Sequence, residues 1–175
     1  AKLTQDQALY HFLSGYTAKV AGTELGITEP KATFSTCFGQ AFLFLHPTRY
    51  ANILGRKMEE HGSQAYLVNT GWIRGKYGEG ERMDLASTRR IIDAILDGTL
   101  DEASFETMPI FNLQVPREIP GVDSGILNPR NVWKDKADYD KTCRKLAGMF
   151  MAHFNNFTDT EKGRALVAAG PQLDA

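Results

Sequence analysis

The sequence has few cysteines, no long apolar run and no excess of charge of either sign. Cys37 and Cys143 are its two cysteines, and they lack C-x-x-C spacing, so neither a disulfide framework nor a zinc site is indicated. No apolar stretch approaches the roughly 20 residues that span a bilayer. The formal net charge of -1 lacks the basic clusters that attract nucleic acid or an anionic membrane surface. We therefore expect an intracellular protein with no membrane or nucleic-acid partner.

Motifs for catalysis within the chain are also absent. There is no G-x-x-x-x-G-K-S/T phosphate loop, no dinucleotide-binding fingerprint and no G-x-S-x-G elbow. The four histidines have no metal-binding spacing; they are His11, His46, His61 and His153. We interpret His46, before a proline, as a helix-start residue and His11 as a partly buried helical position. The residues alone name no reaction.

What the sequence contains is the composition of a folded domain, with 42% hydrophobic and 23% charged residues. Such a chain can bury a core and is not expected to be disordered. It begins at Ala1 rather than at a methionine, and an amphipathic pattern starts within three residues. We expect this sequence to be part of a longer chain.

Apolar periodicity predicts several helices. Thr4 and Gly15 bound the first pattern, and a second runs from Pro47 to Gly62. A third contains Ile91 to Leu96, with Ser87 or Thr88 near its start and Gly98 beyond its end. A long helix is expected to contain Cys143 to Phe154, and a short one Gly163 to Ala169. Helices therefore dominate a mixed α and β fold.

Strands and loops are predicted between these helices. Residues 22–36, rich in Gly, Thr and Pro, are expected to form an ordered loop. Residues 65–68 are predicted to be a buried strand, and residues 110–115, between two prolines, a further strand. Residues 116–130 are expected to be an extended surface connection.

A glycine-rich loop, Gly71 to Gly80, follows the first of these strands and precedes the third helix. Glycines let backbone N–H groups approach an anion or a flat base, and a helix N-terminus adds a favourable dipole. The loop fits two interpretations equally, a ligand loop or a tight structural connection. Arg82 and Thr88 follow this loop. Both residues could contact a ligand; alternatively, Arg82 is a solvated charge and Thr88 an ordinary helix cap.

Longer strings resemble the ATP-type phosphoenolpyruvate carboxykinases and cover essentially the whole chain. The strings are Phe12-Leu-Ser-Gly-Tyr-Thr-Ala-Lys-Val-Ala-Gly-Thr-Glu24, Thr28-Glu-Pro30, Thr33-Phe-Ser-Thr-Cys-Phe-Gly39, Leu45-His-Pro47, Leu67-Val-Asn-Thr-Gly-Trp72, Thr88-Arg89, Ile91-Ile-Asp-Ala-Ile95, Pro120-Gly-Val122, Leu127-Asn-Pro-Arg-Asn131 and Ala168-Ala-Gly-Pro171. So many strings in order exclude chance similarity.

The resemblance implies a two-domain, mixed α/β, cytoplasmic and gluconeogenic enzyme, of which residues 1–175 are part of the C-terminal nucleotide-binding domain. Members convert oxaloacetate and ATP into phosphoenolpyruvate, ADP and CO2, using Mg²⁺ with the nucleotide and a second ion, Mn²⁺. In the family the phosphate loop, the metal ligands and the oxaloacetate site lie upstream of the matched stretch. The segment alone is thus expected to be inactive and to need the missing N-terminal portion as its partner.

The resemblance also assigns nucleotide contacts, to Arg82, Met83 and Thr88. The chain departs from the family pattern at Ile73 and Arg74, where the family usually has a small or polar residue and then glycine. It also departs at Asp84, where serine is common. A lost glycine restricts the backbone, and an added acid opposes an approaching polyphosphate. The alternative interpretation is a non-catalytic structural or interaction module.

Overall fold

The computed structural model describes residues 1–19 and 31–173. The structure is mixed α and β, with 52% helix and 14% strand, which confirms the predicted fold class and the dominance of helices. The chain divides into two compact units. Unit one comprises Ala1–Lys2 and Leu67–Lys145, and unit two comprises Leu3–Tyr66 and Leu146–Ala175. That the chain is part of a C-terminal nucleotide-binding domain stays a prediction.

In unit two, helix α1, Gln5–Ser14, has the caps that the sequence predicts. The Thr4 hydroxyl accepts a hydrogen bond from the Gln7 backbone N–H (3.2 Å), and the Gln7 side chain accepts one from the Thr4 N–H (3.0 Å). This reciprocal capping box satisfies two N–H groups that would otherwise be unpaired. Gly15 ends the helix with a left-handed backbone, φ 56°.

Helix α2, Pro47–His61, also follows its prediction and ends at Gly62, φ 60°. It packs against α1. Gly55 permits the close approach, because a Cβ there would lie 3.1 Å from a methyl carbon of Leu9. The Gln5 side chain also donates a hydrogen bond to the Gly55 carbonyl (2.8 Å).

The core of unit two combines aromatic rings with aliphatic side chains. The Tyr10 and Phe154 rings stack with 4.0 Å between centroids, and the Phe150 ring meets the Phe34 ring edge-on at 5.1 Å. Its buried apolar residues are Ala8, Leu9, Tyr10, Leu13, Ala51, Ala147, Phe150, Phe154, Phe157 and Leu166. Burial of these side chains is the main term that stabilises the unit.

Unit two also contains an antiparallel pair of strands that the sequence analysis did not predict. Strands β2, Tyr16–Lys19, and β3, Lys31–Phe34, pair antiparallel with Tyr16 opposite Phe34. The prediction of a loop over 22–36 is therefore wrong for residues 31–34, where β-branched and aromatic residues favour a strand. Residues 22–30 of that prediction lie outside the described residues.

The remaining elements of unit two are short. Strand β4, Ala65–Tyr66, is half-buried and Leu67 is exposed, so the predicted buried strand over 65–68 is wrong beyond Tyr66. Helix α5, Lys136–Phe154, crosses the boundary between the units at Lys145. Helix α6, Glu161–Leu166, precedes a 3₁₀ turn, Val167–Ala169. The two helices predicted near the C-terminal end of the sequence are thus confirmed.

Unit one contains an antiparallel pair, β7, Phe105–Met108, and β8, Leu113–Pro116. Strand β1, Lys2–Leu3, lies on the other side of β8, with Lys2 opposite Gln114. The predicted strand over 110–115 is wrong at its start. Ile110 and Asn112 have left-handed backbones, φ 71° and 52°, and form the turn between β7 and β8 instead.

Helices α3, Leu85–Leu96, and α4, Pro129–Val132, complete unit one with β5, Trp72–Ile73, and β6, Glu81–Arg82. The prediction of α3 is confirmed. Residues 116–130, predicted as an extended connection, also contain a 3₁₀ turn, Ser124–Ile126. Among the described residues, no helix combines the length and the apolar character needed to cross a bilayer.

Candidate functional site

The candidate site is built on the hairpin of β5 and β6 in unit one. These strands pair antiparallel, with Trp72 opposite Arg82 and Ile73 opposite Glu81. Side chains of directly opposite residues lie on the same face of a two-stranded ribbon, so Trp72 and Arg82 share one face. The Ile73 side chain is buried, which fixes the register of the pair.

The glycines of the connecting loop are required by its own backbone. Gly78 has a left-handed backbone, φ 85°. The carbonyl of Lys76 accepts hydrogen bonds from Glu79 N (3.0 Å) and Gly80 N (2.7 Å), which closes a tight turn. A Cβ on Gly80 would lie only 2.7 Å from the Gly75 carbonyl oxygen. The loop thus satisfies the structural interpretation, and its glycine content needs no ligand to explain it.

Arg74 has a backbone that glycine adopts more easily. Its φ is 65°, in the left-handed region that costs an L-residue about 1–2 kcal/mol. The Arg74 Nε lies 2.7 Å from Glu81 Oε1, and its Nη2 lies 3.6 Å from Asp123 Oδ2. These ion pairs hold the side chain where the family resemblance leads one to expect glycine.

Arg82 has an unpaired guanidinium, as has the exposed Arg89 of α3, among the described residues. Its side chain is exposed and has no ion pair or hydrogen bond with any residue in the ranges 1–19 and 31–173. In the same unit Arg74 is paired with Glu81, and Arg90 with Asp97 (3.4 Å) and the Pro120 carbonyl (2.8 Å). Arg82 therefore offers all its donors to solvent or to a ligand.

Met83 joins the hairpin to helix α3. Its backbone N–H donates to the Gly71 carbonyl (2.8 Å), and its side chain is half-buried. The Asn69 side chain holds the other end of the hairpin, accepting from Gly71 N (2.8 Å) and donating to the Trp72 carbonyl (3.2 Å). Arg82 and Met83 thus have a fixed backbone.

Asp84 is the N-cap of α3. Its carboxylate accepts a hydrogen bond from the Ser87 backbone N–H (2.7 Å), and its own backbone is extended. Hydrogen bonds from Ser87 hold the pKa of the Asp84 carboxyl below its usual range. Ser87 and Thr88 do lie near the start of this helix, as predicted. The interpretation of Thr88 as an ordinary cap is wrong, because the extended backbone and the short acceptor side chain are both at Asp84.

Thr88 lies in the first turn of α3 and is half-buried. Its hydroxyl donates to the Asp84 carbonyl (3.0 Å), which also accepts from the Thr88 N–H (3.1 Å). This is the back-bonding that threonine commonly makes inside helices. Since its proton is engaged, the hydroxyl offers a ligand an acceptor rather than a donor.

The structure therefore places the three predicted site residues, Arg82, Met83 and Thr88, along one continuous segment from the end of β6 to the first turn of α3. Sequence reasoning missed Asp84 as the cap, although Asp three residues before Ser87 is a recognisable start signal. It also missed the ion pair of Lys76 with Asp138 (2.6 Å), 62 positions away, for which no local pattern exists.

A metal site needs several donor side chains that converge on one point. Within the ranges 1–19 and 31–173, no group of three or more His, Cys, Asp or Glu side chains is arranged to hold an ion. His46 caps α2, its Nδ1 accepting from Thr48 N (3.4 Å), as its interpretation as a helix-start residue requires. Burial lowers the pKa of His11 to about 4. The described residues therefore provide no set of ligands that fits the Mg²⁺ or the Mn²⁺ that the family resemblance implies.

The two cysteines are free thiols and half-buried. Burial raises the pKa of the Cys37 thiol to about 11, and burial likewise raises the pKa of Cys143. Only the thiolate is a good nucleophile, so neither residue is activated for covalent chemistry.

Comparison with known proteins gives the family. Residues 1–125 match the family model described as phosphoenolpyruvate carboxykinase. A curated relative from Campylobacter lari, named phosphoenolpyruvate carboxykinase (ATP), is 54% identical over 173 residues. That alignment covers 99% of this chain and 33% of the relative, so the chain spans about a third of the length of the curated relative. The chain belongs to the ATP-dependent phosphoenolpyruvate carboxykinase family.

Proposed function

We propose that this chain acts as a segment of an ATP-dependent carboxykinase in the cytoplasm, which converts oxaloacetate and ATP into phosphoenolpyruvate, ADP and CO2. The segment contributes the contacts to the adenosine end of ATP, through Arg82, Met83 and Thr88. Family membership supports the reaction, and it does not favour the alternative of an isolated structural module. The segment by itself is inactive in this proposal, because it has no phosphate loop.

The unpaired guanidinium of Arg82 is the observation that carries the proposal. An exposed arginine on a fixed strand can stack on a flat base and donate to its ring nitrogens or to ribose oxygens. The half-buried side chain of Met83 supplies apolar surface beside it. The Thr88 hydroxyl, whose proton is engaged by Asp84, supplies an acceptor suited to an exocyclic amino group.

The contribution of this segment to catalysis is positional. The reaction loses CO2 from oxaloacetate to give an enolate, which then attacks the γ-phosphoryl group of ATP. Phosphoryl transfer depends mainly on alignment of the reacting groups and on charge stabilisation. Fixing the adenosine end restricts where the γ-phosphoryl group can lie, and so increases the fraction of bound ATP in a reactive position.

The metals of the family are assigned to other parts of the enzyme. The described residues provide no ligand cluster for Mg²⁺ or Mn²⁺, so the proposal uses neither ion in any step performed by this chain. Asp84 remains ionised at neutral pH, since its pKa is lowered, and its charge is engaged by the helix N-terminus. This capping reduces the repulsion that its carboxylate exerts on a polyphosphate.

The test is Arg82→Ala in a full-length carboxykinase that carries this segment. A hydrogen bond with a charged partner contributes about 1.5–3 kcal/mol, so the KM for ATP is expected to rise about tenfold or more. The KM for oxaloacetate should change less than about twofold, because the proposal gives Arg82 no contact with it. Arg82→Lys should recover only part of the loss, since lysine lacks the planar fork.

Arg56→Ala is the matched control. Arg56 is exposed on α2 and, like Arg82, has no side-chain partner among the described residues. Its removal changes the net charge equally and should leave both KM values unchanged. An unaltered KM for ATP in Arg82→Ala, or an equal rise in Arg56→Ala, would refute the assigned role.

A further inference from the structure

Unit two exposes several large apolar side chains within residues 38–45. Phe38, Phe42, Phe44 and Leu45 are 59%, 81%, 96% and 55% exposed, and we call these four residues the Phe44 surface. Together they expose on the order of 500 Å² of apolar area, which is comparable with the largest apolar patch of a typical monomer, a patch that is often functional. Residues 32–48 contain no Asp, Glu, Lys or Arg, and His46, which follows Leu45, pairs with Asp159 (Nε2 to Oδ2, 3.3 Å).

The backbone that carries these side chains is held by hydrogen bonds. Phe38 N donates to the Ser35 carbonyl (2.7 Å), and Phe42 N donates to the Gly39 carbonyl (2.8 Å). The Tyr50 hydroxyl of α2 accepts from Phe44 N (3.2 Å) and Leu45 N (3.3 Å). The apolar side chains are therefore presented by an ordered segment, which lowers the entropic cost of binding a partner.

The same segment stores backbone strain. Cys37 and Phe38 are consecutive and both have left-handed backbones, φ 53° and 56°, although neither is glycine. Ser35 N donates to the Gly15 carbonyl (2.9 Å), and Thr36 is buried, which fixes the start of the segment against α1. Strain of this kind persists where the surroundings enforce it, and it is concentrated at functional surfaces.

We propose that the Phe44 surface is the face on which the remainder of the carboxykinase docks. This inference rests on the proposed function, because it takes the chain to be one segment of that enzyme. The relative matched over this chain has two thirds of its length outside the match, which is ample to cover the surface. Because residues 38–45 carry no acidic or basic side chain, the face that covers them is apolar.

Hydroxyl-radical footprinting tests the docking directly. The isolated chain is compared with a full-length chimera in which this chain replaces the matched third of the 54%-identical relative. Oxidation of Phe42 and Phe44 is expected to fall about fivefold or more in the chimera, since side-chain reactivity follows exposure. The buried Tyr10 ring, 2% exposed, should react slowly in both and serves as the internal reference.

Two footprinting results would overturn the proposal. Equal oxidation of Phe42 and Phe44 in the chimera and in the isolated chain would mean that nothing in the full-length enzyme covers them. Protection that already appears in the isolated chain, and that increases with its concentration, would assign the surface to a second copy of this chain. Neither result involves ATP, so failure here is distinguishable from failure of the Arg82 test.

A variant of the isolated chain adds a second measurement, which does not depend on the chimera. Phe42→Ser with Phe44→Ser should leave the melting temperature of the isolated chain within about 2 °C, because exposed residues contribute little to its stability. The same pair should lower the melting temperature of the chimera by several times more than the control Val167→Ser, whose side chain is 45% exposed in unit two. Unfolding of the isolated double variant would show that the rings are part of a core and would overturn the proposal.

Discussion

Two arginines of one hairpin have different surroundings. Arg74 is held by Glu81 and Asp123, whereas Arg82 has no side-chain partner among the described residues. Exposed ion pairs contribute at most about 1 kcal/mol each, so the pairs of Arg74 offset a left-handed backbone of similar cost. Arg74 is thus a structural substitution for glycine, and Arg82 is available for a ligand.

At the same scale, the cap of α3 is expected to make stability depend on pH. The folded-state pKa of Asp84 is lowered below the usual range of the carboxyl by the hydrogen bonds from Ser87. A carboxyl with a lowered folded-state pKa stabilises the fold above its unfolded pKa, and loses this contribution as the pH falls through the folded-state pKa. The contribution is therefore complete at neutral pH and is lost at pH values below about 4.

Asp84→Ser isolates this contribution, because serine also caps helices but does not titrate. Urea unfolding from about pH 6 to about pH 3 should show the wild type losing stability relative to Asp84→Ser as the pH falls. Asp93→Ser, on the same helix and outside the cap, is the control: it keeps Asp84 and should lose stability relative to Asp84→Ser as the wild type does. If the wild type instead became more stable relative to Asp84→Ser as the pH falls, the result would contradict the capping role.

At the scale of elements, helices with local caps were predictable and strand pairs were not. Thr4 and Gly15 bound α1, and Pro47 and Gly62 bound α2, because each cap is read from a few neighbouring residues. The β2–β3 pairing joins residues separated by a segment with loop composition, and its cross-strand contacts have no local signal.

The candidate site depends on local sequence and on tertiary structure to different extents. The assignment of Arg82, Met83 and Thr88 comes from the family resemblance and stays a prediction, and the structure sets them on one hairpin-to-helix segment. The ion pairs of Arg74 with Asp123 and of Lys76 with Asp138 depend on tertiary structure. The exposure of Phe44 was equally unpredictable, because an apolar run at 41–45 reads as core from sequence.

The β5–β6 hairpin gives a prediction about two of its glycines. A side chain at Gly80 would contact the carbonyl of Gly75 and the backbone of Ile73, whereas a Cβ at Gly78 meets nothing within 4 Å. Gly78→Ala should therefore cost only the left-handed backbone, about 1 kcal/mol. Gly80→Ala must displace backbone and should cost about 2 kcal/mol or more.

Urea unfolding of the two single variants measures this difference. Gly62→Ala, in an open left-handed position at the end of α2, is a control in unit two and should resemble Gly78→Ala. Equal losses for Gly78→Ala and Gly80→Ala would mean that the hairpin is looser than the structure indicates. In a full-length enzyme Gly80→Ala should also raise the KM for ATP, since it displaces the strand that carries Arg82.

At the scale of the whole molecule, the proposed restriction of this chain to the adenosine end of ATP is expected to appear in ligand preference. The 175 residues include no G-x-x-x-x-G-K-S/T stretch to cradle phosphates. If the segment contacts only the adenosine end, the phosphates add little to binding. The isolated chain should bind ATP and adenosine weakly, with Kd values within about fivefold of each other.

Isothermal titration of both ligands into the isolated chain makes the comparison, with Arg82→Ala expected to weaken both and Arg56→Ala neither. In the full-length enzyme the phosphate contacts of the other segments are present, so ATP should bind more than about 100-fold more tightly than adenosine. Sub-micromolar binding of ATP to the isolated chain would require a phosphate site within these residues. That outcome would favour the ligand-binding interpretation of the glycine loop, Gly71 to Gly80, although its own backbone already explains its glycines.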